Sequence, residues 1–189
     1  MNSLGEGRPS LLIALPQLQD PNFAKSVVLV LEHDDKGAMG FVINRKSPYL
    51  ISDILNEDVQ FSFENHDPAW FGGPVQTERA VIIHRHPKIA AETSYGDIQV
   101  SSSIEALSEL MRAFDGSGDE LYPYRFIIGY TGWDAGQLAT EIKSGSWLQT
   151  ELDLDLLFDT DHEDIWLHAM QKLGVRPDAL APVVQDYVN

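Results

Sequence analysis

Cysteine is absent from the 189-residue chain, which excludes disulfides, thiolate nucleophiles, C-x-x-C redox chemistry and cysteine-ligated zinc together. Positive charge is scarce: 13 Lys and Arg stand against 29 Asp and Glu, a formal net charge of −16. The basic residues are scattered singly or in pairs such as Arg45-Lys46. They form no stripe of the kind needed for counterion-release binding to nucleic acid or for docking on an anionic membrane. The sequence therefore predicts neither a direct nucleic-acid partner nor a membrane partner, and the acidity reads first as a solubility device. Long apolar runs are also lacking, none approaching the ~18 residues that cross a bilayer. The start, Met1 to Pro9, lacks the charged-then-apolar plan of a signal peptide, so the expected location is the cytoplasm.

What is present suits a globular protein: 43% hydrophobic and 22% charged residues, unlike a disordered chain. With no composition shift and no internal repeat, residues 1–189 read as a single domain. The two prolines in Pro177 to Asn189 predict a loosely ordered tail.

Along the chain, Leu11 to Leu15 form a first strand stopped by Pro16. Val27 to Leu31 and Met39 to Ile43 flank Asp34-Asp35-Lys36-Gly37, a hairpin pattern. Both faces of that hairpin are apolar, which calls for layers on both sides of the sheet. Leu50 to Leu55 read as a short helix. Glu57 to Pro68 are turn-rich, with Ala69-Trp70-Phe71 read as loop leading into Gly72-Gly73-Pro74-Val75. Strands are expected at Ala80 to Ile83 and Asp97 to Val100. Ser102 with Glu105 makes a capping-box pattern opening a helix through Ile104, Leu107, Met111 and Phe114, ended by Gly116-Ser117-Gly118. A strand at Phe126 to Ile128 then breaks at the Gly129 to Gly136 turn before a helix carrying Leu138 and Ile142. Further strands are expected at Trp147 to Leu152 and Asp155 to Phe158. Asp161 caps a last helix through Trp166, Ala169, Met170 and Leu173, stopped by Gly174 and Pro177.

Polar groups at strand ends carry the candidate chemistry. Asn44, Arg45, Arg79 and His84, with the Gly72-Gly73-Pro74 loop, could form a site for a small anion or carboxylate. The structural alternative has Asn44 capping a loop, the arginines paired with acids and His84 simply buried. The glycines of 129–136 resemble a phosphate cradle, but Gly-Lys-Ser/Thr and G-x-G-x-x-G are both missing and Trp133 fills the turn. Their simpler use is tight turning at Gly129 and Gly132 and close helix–sheet approach at Gly136. A nucleophile elbow at Thr131 lacks its second glycine. His84 and His86 share a strand face but no spacing supplies a third metal ligand, so neither metal nor cofactor is expected. Asp159, Asp161, Glu163 and Asp164 fit helix-start capping. Trp133, beside a glycine turn, is expected to be exposed and to wall an apolar cleft with Tyr130, Gln137 and Trp147, whereas Trp166 reads as core.

Several runs occur together in a specific order: Leu12-Ile-Ala-Leu-Pro16, Asp20-Pro-Asn-Phe23, Gly37-Ala-Met-Gly-Phe-Val-Ile-Asn-Arg45, Gly72-Gly-Pro-Val75, His84, Gly129-Tyr-Thr-Gly-Trp133, then Gly136-Gln-Leu138 with Glu141. In these runs the chain, from about Leu11 to Gly174, resembles the AlgH/YqgE family of small bacterial proteins. Thr131, Asp134-Ala135 and Trp70-Phe71 depart from the family pattern. The resemblance implies a single-domain α/β sandwich of mixed, largely antiparallel sheet flanked by helices. It also carries a regulatory association without a recognised catalytic signature. Two functions follow as expectations. One is a regulatory or protein-interaction module offering a partner protein the cleft near Trp133 and Gly72-Gly73. The other is an enzyme or binder for an anionic small molecule using Asn44, Arg79 and His84.

Overall fold

The computed structural model describes residues 8–55, 67–89, 91–114 and 123–176. The predicted stop at Gly116-Ser117-Gly118 and the tail 177–189 lie outside them. The strands are β1 (Ser10–Ala14), β2 (Val27–Asp34), β3 (Gly37–Val42), β4 (Lys46–Leu50), β5 (Pro68–Phe71), β6 (Val75–His84), β7 (Thr93–Tyr95), β8 (Ile98–Ser101), β9 (Tyr124–Asp134) and β10 (Trp147–Glu151). The helices are α1 (Ile51–Ile54), α2 (Ile104–Phe114), α3 (Gln137–Lys143) and α4 (Ile165–Lys172). The main path of the sheet runs β10-β1-β2-β3-β9-β6-β8-β7, and β4 joins through β5 to β9. All these ladders are antiparallel except β5 on β9, which is parallel. The fold is thus a mixed, largely antiparallel α/β arrangement.

The β2–β3 hairpin forms as its sequence predicts. Asp34 Oδ1 accepts from the Lys36 and Gly37 N–H groups at 2.8 and 3.2 Å and closes the two-residue turn. Both faces are covered. Val27, Leu29 and Leu31 enter one buried cluster while Val28 and Val30 enter another, as the period of two requires.

The sheet curls. Tyr95 on β7 donates its hydroxyl to Glu32 Oε1 on β2 at 2.9 Å, although four strands separate β2 from β7 along the sheet path. The inner face of this half-barrel is filled by Leu11, Leu29, Phe41, Ile83 and Ile127. It is plugged by Leu156 and Leu157 and by Ile165, Ala169 and Met170 of α4. On the outer face, α3 covers β1, β2 and β3 through Leu138, and α2 covers β6 and β9 through Ala106, Leu107 and Leu110.

Four expectations are corrected. Asp155–Asp159 is a π-helical turn and not a strand. Asp153 Oδ1 takes the N–H groups of Asp155 and Leu156, and Asp155 O receives Thr160 N–H, so local polar groups bend a run too short for periodicity to classify. Ala69-Trp70-Phe71 is strand β5, hidden in sequence by the adjacent proline and glycines. Ser103, not Ser102, caps α2: its Oγ accepts Ala106 N–H at 3.1 Å, whereas Ser102 Oγ bonds Glu92. Finally, β9 does not end at Gly129 but continues to Asp134.

Candidate functional site

Gly129 has φ +69 and resets the alternation of β9. Ile127 faces inward and Ile128 outward, yet Tyr130 again packs inward and Trp133 outward. Strict alternation would have turned Tyr130 to the outside. The neighbouring backbone is very close, for a Cβ on Gly129 would lie 2.4 Å from Gly73 O. One on Gly72 would lie 2.4 Å from Gly129 O, and one on Gly73 2.3 Å from Tyr130 O. Gly72 stitches β3 to β9, its carbonyl accepting Val42 N–H and its N–H donating to Ile128 O, both at 2.8 Å. The glycines of 72–73 and 129 therefore interlock where β9 changes neighbours, from β5 to β3. Gly132 and Gly136 do not serve as expected. Nothing approaches a Gly132 Cβ closer than 3.7 Å, and nothing lies within 4 Å of one on Gly136, so helix and sheet do not need its bareness.

The same place deforms β6. Its pairing jumps from Val75↔Tyr130 to Ala80↔Ile128, which leaves Gln76 to Arg79 as a bulge opposite Gly129; Gln76 takes φ +48. Beside the bulge lies a groove of about 440 Å³ floored by Met39, Phe41, Val81 and Tyr130 and edged by Gln76 and Arg79. Arg79 is exposed and has no hydrogen-bond or ion-pair partner among the described residues. Pro74, also exposed, lies in the loop leading to this bulge.

Other candidate residues are occupied elsewhere. Asn44 Oδ1 accepts Val27 N–H and its Nδ2 donates to Lys25 O, each at 2.9 Å. Arg45 Nη1 and Nη2 donate to Pro21 O at 2.7 Å and Ala24 O at 3.0 Å. Both side chains lock the β1–β2 loop. Trp133 is buried, 7% exposed, correcting the expectation of an exposed cleft wall. Because β9 continues as strand, its indole is pressed edge-on against Trp147, centroids 6.1 Å apart. Glu141 Oε2 accepts both indole N–H groups, Trp133 at 2.9 Å and Trp147 at 2.8 Å, while Oε1 accepts from Gln137 Nε2 at 2.8 Å. Conversely Trp166, expected in the core, is half-buried, its Nε1 donating to Ala14 O at 2.7 Å.

His84 is fully buried at the far end of β6, five residues beyond Arg79 at the end of the bulge, roughly 17 Å along the strand. It does not join Arg79. Its Nδ1 accepts His86 N–H at 3.1 Å, so the ring proton sits on Nε2, which has no partner among the described residues. Desolvation, then the neighbouring His86, lowers its pKa to about 4. Among the described residues no cluster of His, Asp and Glu is arranged to hold a metal ion.

Sequence reasoning missed Arg125. It stands 5% exposed next to the apolar Phe126–Ile128 run. Its Nε donates to Leu157 O at 2.6 Å and its guanidinium lies 3.8 Å from the Trp70 ring centroid. A single arginine at the start of an apolar strand was the available signal. It gains meaning only from β5 and the π-helical turn, neither of which the sequence revealed.

The profile of the AlgH-like family matches residues 11–178. This chain belongs to that family. A UPF0301 protein of Vibrio cholerae is 36% identical to the AlgH-like chain over 182 residues, covering 90% of this chain and 93% of that relative. One from Xanthomonas campestris is 39% identical over 171 residues, covering 87% and 88%. The solution structure of the AlgH protein from Pseudomonas aeruginosa aligns with a TM-score of 0.72 at 32% identity over 96% of each chain. A Corynebacterium diphtheriae protein, at 21% identity and TM-score 0.66 over 91% of this chain and 90% of its own, shares the fold.

Proposed function

We propose that this AlgH-like protein is a cytoplasmic regulatory module that binds a partner protein in the groove between β3, β6 and β9. The observation that carries the reading is Arg79: a cation without a partner among the described residues, raised on a bulge above an apolar floor, in a chain of net charge −16. Elsewhere the acidic surface disfavours acidic partners, so an exposed arginine beside Met39, Phe41 and Val81 selects a segment with a carboxylate next to an apolar side chain. Met39 and Tyr130 supply adaptable and aromatic contact area. The test is affinity purification from a bacterial lysate with tagged wild type, Arg79→Glu, Met39→Lys and, as a distant control, Leu167→Glu. A protein recovered by wild type and the control but lost from both groove variants supports the reading. An unchanged set of recovered proteins defeats it.

A small anionic ligand is the second reading, favoured by the groove's volume of about 440 Å³, which is within the range of small-molecule sites. In this reading Arg79 acts without Asn44 or His84. Phosphate or a carboxylate metabolite would then raise the melting temperature of wild type but not of Arg79→Ala.

A further inference from the structure

On β9, Arg125 faces the interior of the half-barrel with Ile127, two residues on. Leu157 O takes only its Nε–H, and the Trp70 ring takes only its face. Among the described residues no acid pairs with it, the ion pairs there being His162 with Asp161 and Lys172 with Asp153. No described residue accepts a hydrogen bond from Nη1 or Nη2, although the side chain is 95% buried. A buried cation is favourable only when its donors and its charge are met. Asp161, whose neighbour His162 stands against the Trp70 ring, is engaged by His162 at 3.0 Å rather than by Arg125. Burial pulls the Arg125 pKa down to about 10. Two further cationic or protonatable groups surround the same ring: Lys46 Nζ lies 6.0 Å from the Trp70 centroid, and the His162 ring stands edge-on at 5.8 Å. Lys46 is exposed, so this cluster meets solvent.

We propose that the free edge of the Arg125 guanidinium binds a small oxyanion, with Nη1 and Nη2 gripping two oxygens of a carboxylate or phosphoryl group beside Trp70. The planar fork matches such a pair of oxygens, and an ammonium would not. The site is separate from the groove. Arg125 pairs with Ile83 while Arg79 lies on the bulge opposite Gly129, four residues away along β9, or roughly 13 Å.

The experiment titrates the full-length protein with sodium phosphate and, separately, sodium acetate, each against sodium chloride of equal ionic strength. The readouts are the Arg125 Nε–H and Trp70 indole N–H resonances and the melting temperature. The expected result is a saturable shift of both resonances at low millimolar anion and a raised melting temperature, lost in Arg125→Met and retained in Arg79→Ala. The tighter of the two anions names the class, phosphoryl or carboxylate. Shifts that merely follow ionic strength, or stabilisation that survives in Arg125→Met, overturn the proposal. If Arg125→Met fails to fold, the wild-type resonances decide alone, because a structural arginine satisfied by water would not respond to phosphate or acetate beyond chloride.

Discussion

Glu141 holds two indoles with one carboxylate oxygen and Gln137 with the other, so removing it strands three donors at once. Glu141→Ala is expected to cost ~3 kcal/mol and to lower the melting temperature by about 6–12 °C in a chain of this length, measured by calorimetry. Trp133→Ala, which empties a buried indole site, should cost ~3–5 kcal/mol, and the half-buried Trp166→Ala clearly less. This ranking reverses the one the sequence suggests. A tryptophan beside a glycine looks exposed only while that glycine is read as a turn, and burial depends on the partner Trp147 arriving from β10. His84 makes a pH prediction. Its folded pKa of about 4 lies below the ordinary 6.5, so the unfolded chain holds more protons between those values. Above pH 6.5 the group costs nothing. As the pH falls toward 4 the folded state loses stability, on the order of 2 kcal/mol. Denaturant unfolding of wild type and His84→Gln across that window should show the gap closing from the acid side. A pH slope identical in the two proteins would contradict the assignment.

At the scale of elements, β9 is the most informative strand, because each of its halves pairs differently and Gly129 is the joint. Gly129→Ala would force an L side chain to φ +69 and set its Cβ 2.4 Å from the Gly73 carbonyl, so a loss above ~3 kcal/mol is expected. Gly136→Ala has a similar φ of +73 but open space, and should cost only about 1 kcal/mol. Urea denaturation of both variants separates the close approach from the backbone conformation. Strands whose apolar character is continuous, such as β2 and β3, were legible in sequence because any buried partner satisfies them. By contrast β5 and the π-helical turn at Asp155–Asp159 were not, since each exists through specific neighbours: β4 and β9 for the first, the Asp153 carboxylate for the second. The groove was half legible for the same reason. Arg79, Tyr130 and the Gly72-Gly73-Pro74 loop were singled out by sequence, but only the register of β6 on β9 shows which of them meet.

For the whole molecule, a net charge of −16 without a basic stripe leads to the expectation of no measurable binding to random duplex DNA at physiological salt, checked by fluorescence anisotropy. A submicromolar dissociation constant would contradict it. Curling of the sheet, fastened by Tyr95 and Glu32, places the apolar interior between strands far apart in sequence. The central position of β9 between β3 and β6 bears on how the protein is made. During synthesis every strand from β1 to β8 leaves the ribosome before residue 124, so until then β3 and β6 each present an edge whose future neighbour does not yet exist. Until β9 emerges, after roughly two-thirds of translation, the strands already made fall into three unjoined pieces, β1-β2-β3, β4-β5 and β6-β8-β7, the stage at which unpaired edges invite misassembly. A chaperone that shields strand edges would find its substrate there, and release would follow the emergence of Tyr124 to Asp134.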